Sequence, residues 1–367
     1  MRPATRAALE QTLLAAWQRR GPLAALLWPL SQIYRALAAW QRARQRRRQR
    51  QAGRLPVPVI VVGNVIAGGA GKTPVTLAVV QHLQARGFTP GILSRGHGRQ
   101  GEGCAEVQPG SAPQAVGDEP LLLRRRTGAP VFVARRRMQA ARALLAAHPQ
   151  VNVLVCDDGL QHLALPRDIE IVVFDERGTG NGWLLPAGPL REPWPRPLPP
   201  RGTAAPAVLV LHTAPAGHAA APPAGAAPGA FHAPRALADH ALRADGQRVP
   251  LAQLRGRPLT AVAGIARPQA FFAMLRAAGL TLGRTMALPD HYDFDSFSGP
   301  TDGPKALICT EKDAAKLWPR APAALAVPLR LDVPAAFFRA LDGRLAQSLA
   351  ARGQPAPQAP LATHHPP

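Results

Sequence analysis

A glycine-rich loop ending in Gly71-Lys72-Thr73 follows a run of β-branched residues, Val57 to Val62. Glycines let backbone N–H groups close around phosphate oxygens, a lysine ammonium reaches the β- and γ-phosphates, and a threonine hydroxyl binds Mg²⁺. An apolar stretch, Val75 to Leu83, comes next. A helix there would point its positive N-terminal end at the same phosphates. This order of strand, loop and helix predicts a P-loop NTPase-type α/β fold.

The loop departs from the strict pattern GxxxxGK[ST] at its first position, where Ile66 stands in place of glycine. A glycine-containing loop that carries GKT by chance is the alternative, and the flanking strand and helix argue against it. We predict that the nucleotide is bound by eight consecutive residues: Ile66, Ala67, Gly68, Gly69, Ala70, Gly71, Lys72 and Thr73.

Predicted strands and helices alternate from Val57 to about Leu198, which is typical of a parallel sheet covered by helices. A smaller α/β pattern follows nearer the C-terminus. The alanine- and proline-rich segment between them contains one predicted strand, Val208 to Leu211, and most of the rest is predicted to be a linker or surface insertion. The predicted division is 1–54, an N-terminal helical hairpin with a basic segment; 55–200, the P-loop core; 201–240, the linker or insertion; 241–352, the C-terminal α/β unit; and 353–367, a disordered tail.

The net charge of +22 is unevenly distributed, because residues 1–54 hold twelve arginines against the single acid Glu10. Such a basic end suits an anionic membrane surface or nucleic acid. The chain contains four lysines, among them Lys72 and Lys312, so a lysine marks a position where a compact ammonium is needed. The three cysteines are far apart, which predicts neither a disulfide framework nor a zinc site.

An apolar stripe at helical spacing begins at Leu23, after a shorter stripe that Gly21-Pro22 separates from it. Pro29 lies inside this stripe and is a candidate kink. The charge of Arg35 interrupts the apolar run too early for a transmembrane helix, which needs about 20 apolar residues. The stripe consists of Leu23, Leu26, Leu27, Leu30, Ile33, Tyr34, Leu37 and Trp40.

We predict that this amphipathic helix lies in the membrane interface, with the arginines of segment 42–50 on anionic headgroups. One alternative is that the stripe packs on the protein's own core while the arginines are solvated. Binding to nucleic acid is disfavoured, because no aromatic-interleaved basic groove or recognition helix accompanies the charge.

Acidic residues occur where predicted strands end or helices begin. Asp157-Asp158 follows a buried-strand pattern and is a candidate Mg²⁺ site beside the P-loop, or alternatively an Asp-Asp-Gly turn. Asp118-Glu119 precedes a predicted helix, where both would also serve as capping residues. Asp290-His291 lies in a loop, and Lys312-Asp313 joins a strand end to a helix start, where Thr310 could act as a cap.

Seven short motifs identify a resemblance to the tetraacyldisaccharide 4′-kinases of lipid A biosynthesis, membrane-associated P-loop kinases. In the family's order, and after an apolar N-terminal helix, they are GNVIAGGAGKTP (63–74), LSRGHGR (93–99), VGDEP (116–120), DDGLQH (157–162), LPAGPLREP (185–193), PDHYDF (289–294) and TEKDAAK (310–316). They cover residues 20 to 320 apart from the alanine- and proline-rich segment. The family commonly has threonine at position 70 and often a second histidine at position 292, and neither departure removes a reacting group.

The resemblance implies roles for individual residues. Asp118 would be the general base toward the sugar hydroxyl, with His291 hydrogen-bonded to it, and Lys72 would serve the γ-phosphate. Thr73 with Asp157 or Asp158 would hold Mg²⁺. The substrate or phosphate candidates are His162, Arg191, Glu192 and Lys312, the last of which could equally cap a helix.

The resemblance further implies that ATP and Mg²⁺ serve phosphorylation of the 4′-hydroxyl of tetraacyldisaccharide 1-phosphate, giving lipid IVA. The partners would be this lipid precursor and the anionic surface of the bacterial inner membrane, on its cytoplasmic face. No nucleic acid and no obligate protein partner are expected. A membrane-bound P-loop ATPase or GTPase switch is the alternative, although it would leave Asp118 and His291 unexplained.

Overall fold

The computed structural model describes residues 12–69, 71–196, 205–215, 230–299, 306–355 and 357. Two compact units share the chain. The first, which we call the P-loop unit, comprises residues 1–91, 148–233 and 333–367; the second, the Asp118 unit, comprises residues 92–147 and 234–332. Each unit is therefore built from separate stretches of sequence, unlike the contiguous division predicted above.

The described elements alternate between strands and helices along most of the chain. The helices are α1 (Pro22–Ala52), α2 (Lys72–Ala85), α3 (Pro113–Val116), α4 (Asp118–Thr127), α5 (Arg137–Ala147), α6 (Pro268–Ala277), α7 (Glu311–Leu317) and α8 (Ala335–Ala350), with a 3₁₀ turn at Leu251–Leu254. The strands are β1 (Val59–Gly63), β2 (Pro90–Ser94), β3 (Ala105–Glu106), β4 (Val131–Val133), β5 (Val153–Asp157), β6 (Ile169–Phe174), β7 (Ala207–Pro215), β8 (Phe231–Leu237), β9 (His240–Leu242), β10 (Arg248–Pro250), β11 (Leu259–Ala263), β12 (Leu282–Ala287), β13 (Leu307–Thr310), β14 (Leu325–Val327) and β15 (Leu329–Leu331).

Four parallel strands form the sheet of the P-loop unit, in the order β7-β6-β1-β5. Every residue of β1, β5 and β6 is buried. Their continuous valine and isoleucine runs suit a parallel sheet covered on both faces. Val62 of β1 pairs with Asp157 of β5, so the loop after β1 and the residues after β5 leave the same edge of the sheet. The α/β fold predicted from the sequence is confirmed.

The Asp118 unit contains a six-stranded sheet in the order β10-β9-β14-β13-β11-β12. Strands β11 to β14 run parallel, whereas β9 and β10 pair antiparallel. Phe271 and Phe272 of α6 belong to one buried cluster on this sheet, and Phe294 and Leu317 belong to another. Val262 of β11 lies beside Cys309 of β13, so Gly264 and the start of α7 follow neighbouring strand ends.

Segment 201–240, predicted as a linker or surface insertion, contains two strands, β7 and β8. Leu209, Val210 and Leu211 are buried because β7 pairs along its length with β6. The strand predicted at Val208 to Leu211 is therefore present and longer than predicted, whereas β8 was not predicted. Residues 216–229 of the segment, like most of the predicted tail, lie outside the described residues.

Helix α1 runs from Pro22 to Ala52 without a break at Pro29, so segment 42–50 is helical. The first predicted helix of the hairpin is described from residue 12 onward. Ser31 is buried, and its hydroxyl donates to the carbonyl of Leu184 at 2.8 Å. The phenol of Tyr34 donates to the carbonyl of Arg191 at 3.0 Å. The helix therefore packs against its own unit through polar bonds from a narrow face.

Most of the predicted apolar stripe is not on that packed face. Six of its members are exposed: Leu23, Leu26, Leu30, Ile33, Leu37 and Trp40, with exposures from 37% to 75%. Their spacing of three and four residues places them along one side of the helix. Among the described residues, no helix has both the length and the apolar character that crossing a bilayer requires.

A buried histidine in the P-loop unit predicts an acid-sensitive fold. His212 is 1% exposed, and its ring stacks between those of Phe174 and His232 at 5.4 and 5.3 Å. No described residue hydrogen-bonds to either ring nitrogen. Burial lowers the pKa of His212 from 6.5 to about 4.

Because this folded-state pKa lies below the unfolded one, the unfolded chain binds the proton first as the pH falls. We expect His212 to lower the free energy of unfolding by about 3 kcal/mol between pH 6.5 and pH 4. Denaturant unfolding at pH 7, 5.5 and 4 of wild type and His212→Phe, which preserves the stack, measures this. Equal pH slopes for the two proteins would contradict it.

Candidate active site

The phosphate-binding loop joins β1 to α2 and depends on two left-handed glycines. Gly68 has φ 87°, and Gly71, which directly precedes α2, has φ 70° and ψ 33°. Residues with a β-carbon rarely adopt such angles, so these two positions give the loop its shape. The side-chain amide of Asn64, itself fully buried, donates to the carbonyl of Gly68 at 3.2 Å. Ala70, one of the predicted nucleotide-binding residues, lies outside the described residues.

Arg177 contacts the loop from the segment after β6. Its guanidinium donates to the carbonyls of Ala67 at 3.3 Å and Gly69 at 3.0 Å. The same group is held by Asp175, whose carboxylate accepts from Nε at 2.9 and 3.0 Å. This arginine therefore braces the loop, a role that the sequence patterns did not indicate.

Lys72 and Thr73 are the first two residues of α2, at the end where a helix favours anions. The ammonium of Lys72 lies 3.6 Å from a carboxylate oxygen of Asp158. The loop, the helix terminus and this lysine thus lie together, and their binding of phosphate stays a prediction.

The two adjacent acids after β5 lie in different environments. Asp157 is 1% exposed, and one carboxylate oxygen accepts from the hydroxyl of Thr76 in α2 at 2.7 Å. Asp158 has φ 49°, which is uncommon for a residue other than glycine, and its side chain is 39% exposed beside Lys72. Asp157 thus joins α2 to the sheet, whereas Asp158 lies beside Lys72.

Glu192 belongs to a buried ionic network. It is 7% exposed, and its Oε1 accepts from Gln161 and from Arg196, both at 3.0 Å. Gln161 also donates to the carbonyl of Asn64 at 2.9 Å. Glu192 is therefore linked through Gln161 to the residue after β1, and its role as a substrate or phosphate candidate stays a prediction.

Arg191 and His162 are held through their backbones. The N–H of Arg191 donates to Val65 at 2.7 Å, and its carbonyl accepts from Tyr34. The N–H of His162 donates to Gly159 at 2.9 Å, and its carbonyl accepts from Arg167. Both residues are partly exposed, so the structure places them near the P-loop without fixing a ligand-binding role.

Asp118 is the first residue of α4 and is 8% exposed. Its Oδ2 lies 3.1 Å from Nδ1 of His291 and accepts a hydrogen bond from Lys316 at 2.8 Å. Burial raises the pKa of Asp118, but the bonds from His291 and Lys316 and the charges of Lys316 and Lys312 lower it further, so the net shift is downward. The site therefore holds an ionised carboxylate at neutral pH.

His291 is fixed by the backbone around it. It adopts a left-handed conformation, with φ 62°, and its N–H donates to the carbonyl of Gly264 at 3.1 Å. The ring of His97 meets its ring edge-on at a centroid distance of 5.4 Å. The sequence resemblance paired Asp118 with His291, and the structure places these two side chains together within the Asp118 unit.

Lys312 lies beside this pair rather than at a helix cap. Its ammonium is 3.4 Å from Asp290, 3.7 Å from Glu119 and 3.4 Å from Nε2 of His291. Burial lowers the pKa of Lys312, but the acids Glu119, Asp290 and Asp118 outweigh it and the pKa is raised. Thr310 caps α7 by accepting from the N–H of Asp313.

Sequence reasoning missed Lys316 as a member of this cluster. The available signal was its residue type, because it is one of four lysines in a chain with 44 basic residues. Its partner Asp118 lies 198 positions away, so no local pattern joins the two.

Comparisons with known proteins agree with this architecture. The family model described as tetraacyldisaccharide-1-P 4′-kinase (LpxK) matches residues 23–346. A tetraacyldisaccharide 4′-kinase of Acidovorax sp. (strain JS42) is 61% identical over 345 residues, covering 94% of this chain and 97% of that protein. Another, of Methylibium petroleiphilum, is 48% identical over 361 residues, covering 93% and 95%.

A solved structure shares the fold. It is described as the "apo" form of LpxK from Aquifex aeolicus in complex with ATP, and it aligns with a TM-score of 0.70 at 25% sequence identity. The alignment covers 88% of this chain and 99% of that one. The match therefore includes both compact units.

Proposed function

The chain belongs to the tetraacyldisaccharide 4′-kinase family, and from this premise we propose how its residues phosphorylate a lipid A precursor. It is an ATP-binding kinase of lipid A biosynthesis that transfers phosphate to the 4′-hydroxyl of tetraacyldisaccharide 1-phosphate, giving lipid IVA. The membrane-bound ATPase or GTPase switch considered above is not supported by the family to which the chain belongs.

The observation that carries the proposal is the cluster that the buried residues Asp118 and Lys316 form with the partly exposed His291. A nucleotide-dependent switch needs a phosphate-binding loop and a metal site, but no second buried carboxylate that is kept ionised by cations. An acceptor hydroxyl does need such a group, because its proton must leave as the phosphoryl group arrives.

In the P-loop unit, we assign the ATP phosphates to residues 66–73 and the γ-phosphate to Lys72. The ammonium of Lys72 now lies 3.6 Å from Asp158. When ATP binds, phosphate oxygens would replace this carboxylate or bind the ammonium beside it. The loop would contribute by positioning the phosphates and stabilising their charge, which is most of what phosphoryl transfer requires of a protein.

The residues fit Mg²⁺, a hard cation that prefers oxygen ligands and is usually bound by one or two carboxylates together with substrate phosphates. Thr73, Asp157 and Asp158 offer such oxygens. Asp158 is the better direct ligand, because Asp157 is already bonded to Thr76. When bound, the ion neutralises charge on the phosphates.

In the Asp118 unit, Asp118 accepts the proton of the 4′-hydroxyl. A carboxylate is a weak base, but a loose transition state requires orientation of the hydroxyl more than strong abstraction. His291, held at Nδ1 by Asp118, positions the carboxylate. Lys312, whose ammonium has two acids and a histidine around it, is a candidate contact for anionic substrate groups. We keep His162, Arg191 and Glu192 as candidates on the P-loop side.

We further propose that the exposed side of α1 lies in the anionic surface of the inner membrane, on its cytoplasmic face. The six exposed apolar residues form one continuous side, and the exposed residues Arg44, Arg47 and Arg48 follow it toward the C-terminal end of the same helix. Trp40 and the arginines suit the headgroup region. An enzyme lying at this depth meets its acylated substrate without extracting the chains, which would cost about 0.8 kcal/mol per CH₂.

Charges placed on this side should weaken use of the micellar substrate. In the variant Leu30→Glu/Leu37→Glu, each lost apolar contact removes about 2 kcal/mol of burial, so we expect the apparent KM in mixed micelles to rise more than tenfold. The kcat at saturating substrate should stay within about twofold of wild type.

The matched control is Ala39→Glu, since Ala39 is exposed and none of the six apolar residues lies three or four positions from it on the helix. Its KM should match that of wild type. A KM unchanged in the double variant would contradict the membrane assignment, and an equal rise in the control would show that charge alone is responsible.

The reaction itself is tested by locating the new phosphate. Purified protein is incubated with ATP, Mg²⁺ and tetraacyldisaccharide 1-phosphate, and the product is characterised by ³¹P and ¹H NMR. We expect a phosphate monoester at the 4′-oxygen. A new phosphate at another hydroxyl, or none, would contradict the proposal.

A further inference from the structure

Lys316 is a buried lysine whose ammonium binds the carboxylate of Asp118. The distance from Nζ to Oδ2 is 2.8 Å, and the two side chains are 6% and 9% exposed. Burying an ammonium without a partner is costly, so such a lysine is retained only with its charge matched. This contact joins α7 to the first residue of α4.

The two side chains that hydrogen-bond to the carboxylate of Asp118 act on one oxygen. Lys316 and His291 approach Oδ2, at 2.8 and 3.1 Å, and no described residue donates to Oδ1. An oxygen that is already bound to two donors is a poorer acceptor than its partner on the same carboxylate. Oδ2 of Asp118 is therefore occupied by donors of the protein itself, whereas Oδ1 is available to a hydroxyl.

We propose that Lys316 is a positioning residue that clamps Oδ2 of Asp118 and so presents Oδ1 to the acceptor hydroxyl. This inference rests on the proposed function, because it assigns Asp118 to the reaction. Lys316 itself touches neither substrate nor nucleotide in this assignment; it acts through Asp118.

The same fold feature positions Lys316 and His291. Asp313, one turn before Lys316, accepts at Oδ2 from the hydroxyl of Thr310 at 2.6 Å and from the N–H of Gly264 at 3.0 Å. The carbonyl of Gly264 in turn accepts from the N–H of His291. The start of α7 and the His291 loop are thereby joined through one glycine, and both donors reach Oδ2 from a fixed frame.

Lys312 offers a natural comparison, because it lies one turn earlier on α7. It contacts Asp290, Glu119 and Nε2 of His291, but makes no hydrogen bond to Asp118. The charged and titratable groups around Asp118 are thus Lys316 and Lys312 from α7, His291 and Asp290 from the loop after β12, Glu119 from α4, and His97 against His291.

The test is the pH dependence of kcat/KM for Lys316→Met, which keeps the length and removes the charge. An opposite charge at this distance lowers the pKa of a carboxyl by about 1 to 3 units. Because the ionised form is the active one, the acidic limb should move upward by about one pH unit or more. The loss of kcat/KM should be greatest at low pH and smaller at higher pH.

Two further variants separate positioning from bulk stability. Lys316→Arg keeps the charge and should return the acidic limb toward wild type, whereas Lys312→Met should move it less than Lys316→Met does. If Lys316→Met does not fold, as judged by thermal unfolding and ATP affinity, Lys316→Gln tests loss of charge with a donor retained, and the same upward shift is expected.

An unshifted acidic limb, or an equal loss at every pH that Lys316→Arg does not restore, would overturn the inference. Failure of the proposed function has a different signature. In that case Asp118→Asn would keep the wild-type rate, regardless of how the Lys316 variants change the pH dependence.

Discussion

Replacing Asp118 by asparagine is expected to lower kcat by about 10³-fold, since general base catalysis contributes about 10² to 10⁴. Asparagine preserves the shape and can still accept from Lys316, but it cannot take a proton. ATP affinity should stay within twofold, because the residues proposed to bind the phosphates belong to the P-loop unit. The measurement is kcat at saturating ATP and saturating lipid, with ATP affinity determined separately by calorimetry.

Asp295→Asn is the matched control for that variant. Asp295 belongs to the same unit, is exposed, and pairs loosely with Arg320 at 3.9 Å. Its kcat should equal that of wild type. A kcat for Asp118→Asn within tenfold of wild type would rule out Asp118 as the base.

Replacing Lys72 by methionine is expected to lower kcat/KM for ATP by about 10³-fold. Loss of one preorganised donor at a developing charge typically costs 10² to 10³, and here a full positive charge is lost as well. The variant also leaves Asp158 without the cation that lies 3.6 Å from it, so repulsion from the phosphates adds to the loss. Kinetics with varied ATP at saturating lipid measure the effect.

Arg86→Met provides the control at the other end of the same helix. Arg86 follows the last residue of α2, is 55% exposed and pairs with Asp342 at 3.5 Å. Loss of this cation should leave kcat/KM for ATP unchanged. A wild-type value for Lys72→Met would remove the P-loop assignment.

The sequence predicts the buried part of the fold well, for a physical reason. Strands such as β1 and β5 are covered on both faces, so they appear as continuous apolar runs. Strand β12 alternates between half-buried and exposed residues, and β8 contains Pro234. Neither strand shows a continuous apolar run, because hydrogen bonds to neighbouring strands, rather than composition, hold them in their sheets.

The candidate site shows the same limit. The P-loop is visible because its residues are consecutive and their chemistry is local. The contacts of Arg177 with the loop and of Lys316 with Asp118 span more than 100 residues, and only the folded chain reveals them. The bond from the buried hydroxyl of Ser31 to the carbonyl of Leu184 likewise joins residues far apart in the sequence.

The sequence predicts that the apolar side of α1 faces either a membrane or the protein's own core. Because Ser31 and Tyr34 provide the packed face, six of the eight apolar stripe members remain exposed. Hydrophobic periodicity identifies a stripe but does not say what covers it, and here the polar bonds decided which side faces the protein.

The central claim is tested most directly by the fate of the γ-phosphate of ATP. Wild type and Asp118→Asn are supplied with γ-labelled ATP and tetraacyldisaccharide 1-phosphate in mixed micelles, and label is counted in lipid and in inorganic phosphate. We predict that wild type places the label in lipid and that Asp118→Asn loses this transfer while still binding ATP. Label appearing in inorganic phosphate with none in lipid would contradict the assignment as a lipid kinase.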